Sequence, residues 1–210
     1  MRRDPEILDT QIVAQSRFFA VEQVRLRFGN GEERLYERLR EWDARSVVIV
    51  AFRPPEDILL VREYACGIDQ HSLALPKGMI EPGETTLQAA NRELQEEAGF
   101  GAHHIQELGV LTLAPGHLCH RITVVLAESL YEQKLAGDEP ELPEVVPVQL
   151  SEFDDLVRRG LINEARTIAA IYMAKNQLER AATPPDATSV YRFRNVVAPA
   201  PPVAEHKKRA

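Results

Sequence analysis

A chain of 210 residues, 44% of them hydrophobic, is long enough for one sizeable core with a small appendage. Its net charge of −7 argues against nucleic acid as a main partner, although a divalent cation would still let an acidic surface handle phosphates. Two cysteines, Cys66 and Cys119, make neither a disulfide framework nor a zinc pattern, and MRRDPEILDT has no apolar leader core, so the expectation is a soluble, cytoplasmic protein without membrane contact.

In chain order, residues 1–16 read as a leading segment of mixed character. Residues 17–40 read as a β-hairpin. Phe19, Val21, Val24, Leu26 and Phe28 alternate with one slip, which a bulge would explain, and Gly29-Asn30-Gly31 signals the turn before a second strand from Arg34 to Leu39. The hairpin is too charged to be a core, yet Phe18, Phe19, Tyr36 and Leu39 need cover. It docks either on the rest of the chain or on a second copy. Val47 to Phe52 is a continuous apolar run and hence a buried strand. After a turn over Arg53 to Asp57, Ile58 to Val61 forms the next strand and runs into Arg62-Glu63-Tyr64. Ser72 to Leu75 leads into a loop punctuated by Pro76, Gly78, Pro82 and Gly83.

A helix follows. Thr85 with Gln88 fits a capping box, Leu87, Ala90, Leu94 and Ala98 repeat at helical spacing, and Gly99 suits a left-handed stop. Its other face carries Glu93, Glu96 and Glu97 at i, i+3 and i+4. Like charges at that spacing weaken a bare helix, so a cation between them is expected, and oxygen-only ligands suit Mg²⁺, with Mn²⁺ as the alternative. Strands are then expected from Ile105 to Leu113 and from Arg121 to Ala127, with Ala114-Pro115-Gly116-His117 as the turn between them. Leu130 to Glu144 reads as an acidic loop and Val145 to Leu150 as a short strand. A helix from Ser151 stops at Gly160, and a final helix is capped by Asn163. This pattern predicts an α/β fold, an α/β/α sandwich around a mixed sheet over 45–182. An N-terminal hairpin or dimerisation element over 1–44 precedes it, and a Pro-rich disordered tail over 183–210 follows.

The stretch LPKGMIEPGETTLQAANRELQEEAGF resembles the Nudix box, G-x5-E-x7-R-E-U-x-E-E-x-G-U with U bulky and apolar. Gly78, Glu84, Arg92, Glu93, Leu94, Glu96, Glu97, Gly99 and Phe100 fill every fixed position. Average composition would give such a match about once in 10⁸ registers, which sets chance aside. The resemblance implies the Nudix fold and metal-dependent hydrolysis of a nucleoside diphosphate linked to another group. It makes Glu93, Glu96, Glu97 and the Lys77 carbonyl the metal ligands, and makes Glu84 and Arg92 a pair that orients the loop-helix between Gly78 and Gly99.

The flanks resemble the ADP-ribose pyrophosphatase branch of that family. The stretches SRFFAVEQVRLRFGNGEERLYERLR, VREYACG, ANRELQEEAGFGA, GDEPE and INEAR carry the likeness across roughly residues 10–180. What this implies is release of AMP from ADP-linked compounds such as ADP-ribose, NADH and diadenosine polyphosphates, by a homodimer. The branch carries a proline near Pro115 and a catalytic glutamate on the acidic loop, here Glu139 first and Glu141 second, beside Glu97. Arg38, Arg62 and Tyr64 are candidates for the substrate, Trp42 for stacking on adenine, and His117 and His120 for substrate or metal. Two departures favour a broad ADP-linked range over strict ADP-ribose selectivity: Glu63-Tyr64-Ala65 stands where Gln-Tyr-Arg is common, and no acid follows the Pro115-Gly116 turn. Flavin dinucleotides, nucleotide sugars or nucleotide caps are the alternative substrates, and a non-catalytic sensor the alternative class.

Overall fold

The computed structural model of the chain describes residues 3–41, 45–54, 56–137 and 140–182. The tail, Trp42 and Glu139 lie outside them. Strands β1 (Glu6–Gln15), β2 (Phe19–Arg27) and β3 (Glu33–Glu41) form an N-terminal antiparallel sheet in that order. A second sheet has the order β10-β5-β4-β9-β8, built from β4 (Arg45–Arg53), β5 (Asp57–Ala65), β8 (Phe100–Thr112), β9 (Arg121–Glu132) and β10 (Glu144–Gln149). To it β6 (Gln70–Ala74) adds on β5 and β7 (Lys77–Met79) on β4. Among the described residues β4 and β9 pair in parallel and the other pairs of this sheet are antiparallel.

Alternation along β4 sets the layers. Val47, Ile49 and Ala51 pack with Ala89 and Ala90 of helix α1 (Thr86–Glu93) and with Leu94 just after it on one face. Val48 and Val50 pack on the other face with Phe153 of α2 (Phe153–Arg158) and Ala170, Ile171 and Ala174 of α3 (Ala165–Ala182). A strand buried on both faces reads as a continuous apolar run, and two apolar faces demand helices on both sides, so the α/β/α sandwich is what this run requires.

The sheet forks where the site will be. β4 and β5 pair only beside their turn, at Phe52 with Ile58 and Arg53 with Asp57. Beyond that β4 takes β7 and β5 takes β6, so the connector Leu75-Pro76 crosses from one prong to the other. Where β4 has lost β5, its Ile49 N–H donates to the Pro76 carbonyl at 2.9 Å.

The N-terminal sheet joins the sandwich along the turn after β8. Leu39 N–H donates to the His117 carbonyl at 2.7 Å and the Leu39 carbonyl accepts from Cys119 N–H at 3.2 Å. Phe18 and Phe19 stay exposed, at 65% and 51%.

The elements differ from the sequence expectation in particular places. The leading segment contains a strand, β1, whose largely exposed edge lacks an apolar stripe to announce it. The slip in β2 is no bulge, since β2 and β3 pair without a break and the register shifts fall between β1 and β2. The slip is Glu22, a carboxylate in the inward row with Ala20 and Val24. Leu87 is exposed, and Ala89 joins the buried stripe in its place. Strand β8 starts at Phe100, directly after the helix stop, and β9 continues to Glu132, shortening the acidic loop. The start of α3 is capped by Glu164 in place of Asn163, its carboxylate accepting from the Thr167 N–H at 2.7 Å.

Candidate active site

Helix α1 starts as its residues dictate. Gln88 N–H donates to Thr85 Oγ1 at 3.3 Å and Thr85 N–H donates to Gln88 Oε1 at 2.9 Å, the reciprocal capping box. Its last turn, Leu94–Ala98, widens into a π-helical turn in which Gly99 N–H reaches the Leu94 carbonyl, and Gly99 closes it at φ 76°. That turn carries Glu97 under β7, where Glu97 Oε2 accepts the Lys77 N–H at 3.0 Å.

Arg92 organises the carboxylates. Its Nε and Nη2 grip Glu84 at 2.8 and 3.0 Å, Nη2 also donates to the Met79 carbonyl at 2.9 Å, and Nη1 donates to Glu93 at 2.8 Å and Glu96 at 2.9 Å. The guanidinium holds the Glu84 carboxyl below its ordinary range, by hydrogen bonding first, and is itself held more firmly protonated. Because Arg92 draws Glu93 and Glu96 to itself, no closed cage of three metal-binding side chains stands ready among the described residues.

Two observations say that the donor set nevertheless fits a hard cation. First, a Cβ at position 78 would meet the Glu93 carboxylate, so β7 and that carboxylate lie in close contact, which glycine leaves undisturbed. Second, Glu97 is 5% exposed, and burial is the main cause of a rise in its carboxyl pKa to about 8. Glu63 and Glu93 push in the same direction, while the Lys77 ammonium and N–H oppose them. A buried carboxylate facing two further acids is the arrangement a divalent cation stabilises.

Two clefts flank this centre. One of about 440 Å³ is lined by Lys77, Gly78, Arg92, Glu93, Glu96 and, across from them, Gly137. The other, about 720 Å³, is lined by Arg62, Tyr64, His71, Glu141 and Glu144 among others. Glu63 borders the second and Lys77 the first, and their side chains form an ion pair between the two.

Of the sequence candidates, the structure thus gathers Glu93, Glu96, Glu97, Lys77, Gly78, Glu84 and Arg92 at one centre, with Gly99 closing the helix. Arg62, Tyr64 and Glu141 share the second cleft, where Arg62 is already paired with Glu144 at 3.0 Å. Arg38 and Pro115 line neither cleft. Arg38 stands in the N-terminal sheet on Glu22, and Pro115 is exposed on the turn where that sheet attaches. His117 gives its carbonyl to Leu39, and His120 Nε2 lies 3.0 Å from Ser46 Oγ. Sequence reasoning missed Glu63, the Met79 carbonyl and Gly137, which acquire a role only through the β5–β6 pairing and the path of the loop after β9.

Fold, forked sheet and carboxylate helix define a class, and comparison with known proteins agrees. The Nudix domain family model matches residues 42–171, and the model of a NudE-type Nudix hydrolase N-terminal domain matches residues 5–38. The chain belongs to the Nudix hydrolase family and is a Nudix pyrophosphohydrolase, an enzyme class that works with divalent metal ions. It is 41% identical to the ADP compounds hydrolase NudE of Escherichia coli (strain K12), across 83% of this chain and 94% of that protein. It is 30% identical to an ADP-ribose pyrophosphatase of Bacillus subtilis (strain 168), across 60% of this chain and 69% of that one. A crystal structure of an ADP compounds hydrolase superposes with a TM-score of 0.79 at 40% identity, covering 85% of this chain and 96% of that chain. Among the described residues no helix is long and apolar enough to cross a membrane.

Proposed function

We propose that the chain hydrolyses the pyrophosphate bond of ADP-linked compounds, including ADP-ribose, NADH and diadenosine polyphosphates, and releases AMP. The observation that carries this reading is that Glu93 and Glu96 line a cleft with Lys77 and Gly78, beside a second, wider one, while Glu97 is buried against the Lys77 N–H. Mg²⁺, with Mn²⁺ as the alternative, supplies charge neutralisation for the phosphate oxygens when bound. The three carboxylates and the Lys77 carbonyl would hold it, Arg92 and Glu84 fix the helix against β7, and Gly78 keeps the approach clear. Arg62 and Tyr64 bind the remainder of the substrate in the second cleft. A glutamate of the loop after β9 takes the proton of the attacking water, Glu139 in first place and Glu141, which borders the Arg62 cleft, in second. The similarity to enzymes named for ADP compounds and ADP-ribose supports this substrate class over flavin dinucleotides, sugar nucleotides or caps.

The test is a product assay with Mg²⁺ and a chelator control on ADP-ribose, NADH, diadenosine triphosphate and FAD separately. AMP from several of the first three is expected. Release from ADP-ribose alone would narrow the range, and binding without AMP release would turn the reading into a sensor. E139Q and E141Q, assayed side by side, assign the base.

In the same proposal, residues 1–44 hold two copies together as a cytoplasmic homodimer, supported by the exposure of Phe18, Phe19 and Tyr36. Sedimentation should give twice the chain mass at micromolar concentration, and a monomer there would remove the dimer.

A further inference from the structure

We propose that Thr167, at the start of α3 on the far side of the sandwich, is a positioning residue for the carboxylate centre, an inference that rests on the metal-binding reading above. The site depends on where β7 presents Lys77 to Glu97, and β7 is reached through the connector Leu75-Pro76 that crosses the fork of the sheet. A connector between two prongs has no ladder partner of its own. Its backbone groups must be satisfied elsewhere or remain buried and unpaired.

The Leu75 N–H and the Pro76 carbonyl are satisfied in sequence. Leu75 N–H donates to Thr167 Oγ1 at 3.0 Å, from a residue 92 positions away. Pro76 has no N–H, and its carbonyl accepts from Ile49 at 2.9 Å. The next N–H, that of Lys77, is the one that meets Glu97 Oε2 at 3.0 Å. Leu75 and Thr167 are both fully buried, so no water replaces this bond. With φ fixed at Pro76, the connector has one torsion fewer in which to absorb a shift at Leu75 before it reaches Lys77.

The direction of the Thr167 hydrogen bond is also determined. A hydroxyl has one proton, and that of Thr167 goes to Glu164 Oε2 at 2.8 Å. The Glu164 carboxylate is held in place by Arg166 Nε at 2.5 Å and by the Thr167 N–H at 2.7 Å. The Thr167 oxygen is therefore left as an acceptor toward Leu75. The chain of contacts runs from Arg166 through Glu164, Thr167 and Leu75 to Lys77 and Glu97, and of its members only Lys77 lines either cleft.

The experiment compares wild type, T167V and T167S in the full chain by Mn²⁺ titration monitored by electron paramagnetic resonance, with thermal midpoint and kinetics on the same samples. Valine keeps the shape and removes the acceptor, whereas serine keeps the acceptor and removes a methyl. T167V should bind Mn²⁺ about tenfold more weakly, in the range seen for residues that orient ligands without touching the metal. It should lower kcat with KM changed less than about twofold, and T167S should restore both. T167V with wild-type Mn²⁺ affinity, whatever its thermal midpoint, would reduce Thr167 to a packing role and overturn the inference. T167S as impaired as T167V would do the same, because it would trace the effect to the methyl. If T167V does not fold, T167A removes the same acceptor and is read by the same criteria. Wild type that binds no Mn²⁺ would instead overturn the metal reading, and this inference with it.

Discussion

The molecule buries glutamates in both of its sheet systems, and Glu22 and Glu97 are buried for opposite reasons. Glu22 in the N-terminal sheet is 3% exposed and Glu97 beside β7 is 5% exposed. Glu22 receives Arg38 at 2.6 Å and Arg40 at 2.8 Å, so two guanidinium groups on the neighbouring strand offset the cost of removing its charge from water. Glu97 has one backbone N–H at 3.0 Å, and the Lys77 ammonium that favours its charge is paired with Glu63. Glu63 and Glu93 raise its proton affinity on top of burial. Burial of a carboxylate therefore does not mark function by itself. What separates a structural knot from a working centre is whether the neighbours already supply the countercharge.

The largest expected effect comes from neutralising Glu97. E97Q should lose turnover by roughly 10²–10³-fold, the scale for removing one electrostatic contributor to a transition state. Its thermal midpoint should not fall below that of wild type, because a buried acid short of countercharge becomes neutral. A large drop in midpoint with turnover retained would place Glu97 in the same class as Glu22. Next is G78A. Its methyl would fall 2.0 Å from Glu93 Cδ and must push that carboxylate aside, so Mn²⁺ affinity should weaken roughly 10–100-fold while circular dichroism stays unchanged. Unchanged affinity would remove Glu93 from the metal set. E22Q should show the reverse pattern. It leaves two arginines facing a neutral amide, at a stability cost of roughly 1–3 kcal/mol in urea unfolding. Mn²⁺ affinity should stay within about twofold of wild type, since Glu22 stands in the other sheet.

The same contrast explains what could be read from the sequence. The carboxylate helix, its capping box, its Gly99 stop and the doubly buried β4 were legible, because spacing, local chemistry and apolar runs specify them within a few turns of chain. The box also named Glu93, Glu96, Glu97 and Arg92 together, although the π-helical turn that aims Glu97 at Lys77 left no mark in the periodicity. Strand β1 was illegible since an exposed edge strand needs no alternation. Glu22 appeared only as a broken pattern, because its meaning depends on Arg38 and Arg40 across the β2–β3 register. Glu63 and Thr167 were silent for the same reason. Each acts through a partner placed by the fork of the sheet, 14 residues away for Glu63 and 92 for Thr167.

Glu164 offers the smallest effect and a third case to set beside Glu22 and Glu97. Burial alone would raise its carboxyl, but Arg166 and the N–H and hydroxyl of Thr167 outweigh burial and hold it below the ordinary value. Because the folded state then favours the ionised form, its contribution is fully present above the unfolded-state pKa and is lost as pH falls through the lower, folded-state value. E164A should cost about 1 kcal/mol at neutral pH, typical of removing a helix cap. The gap between wild type and E164A in urea unfolding should then narrow as the pH is taken down through the acid range. A gap that stays constant with pH would mean that Glu164 contributes by packing. It would then be the burial, and not the charge arrangement around it, that Glu164 has in common with Glu22.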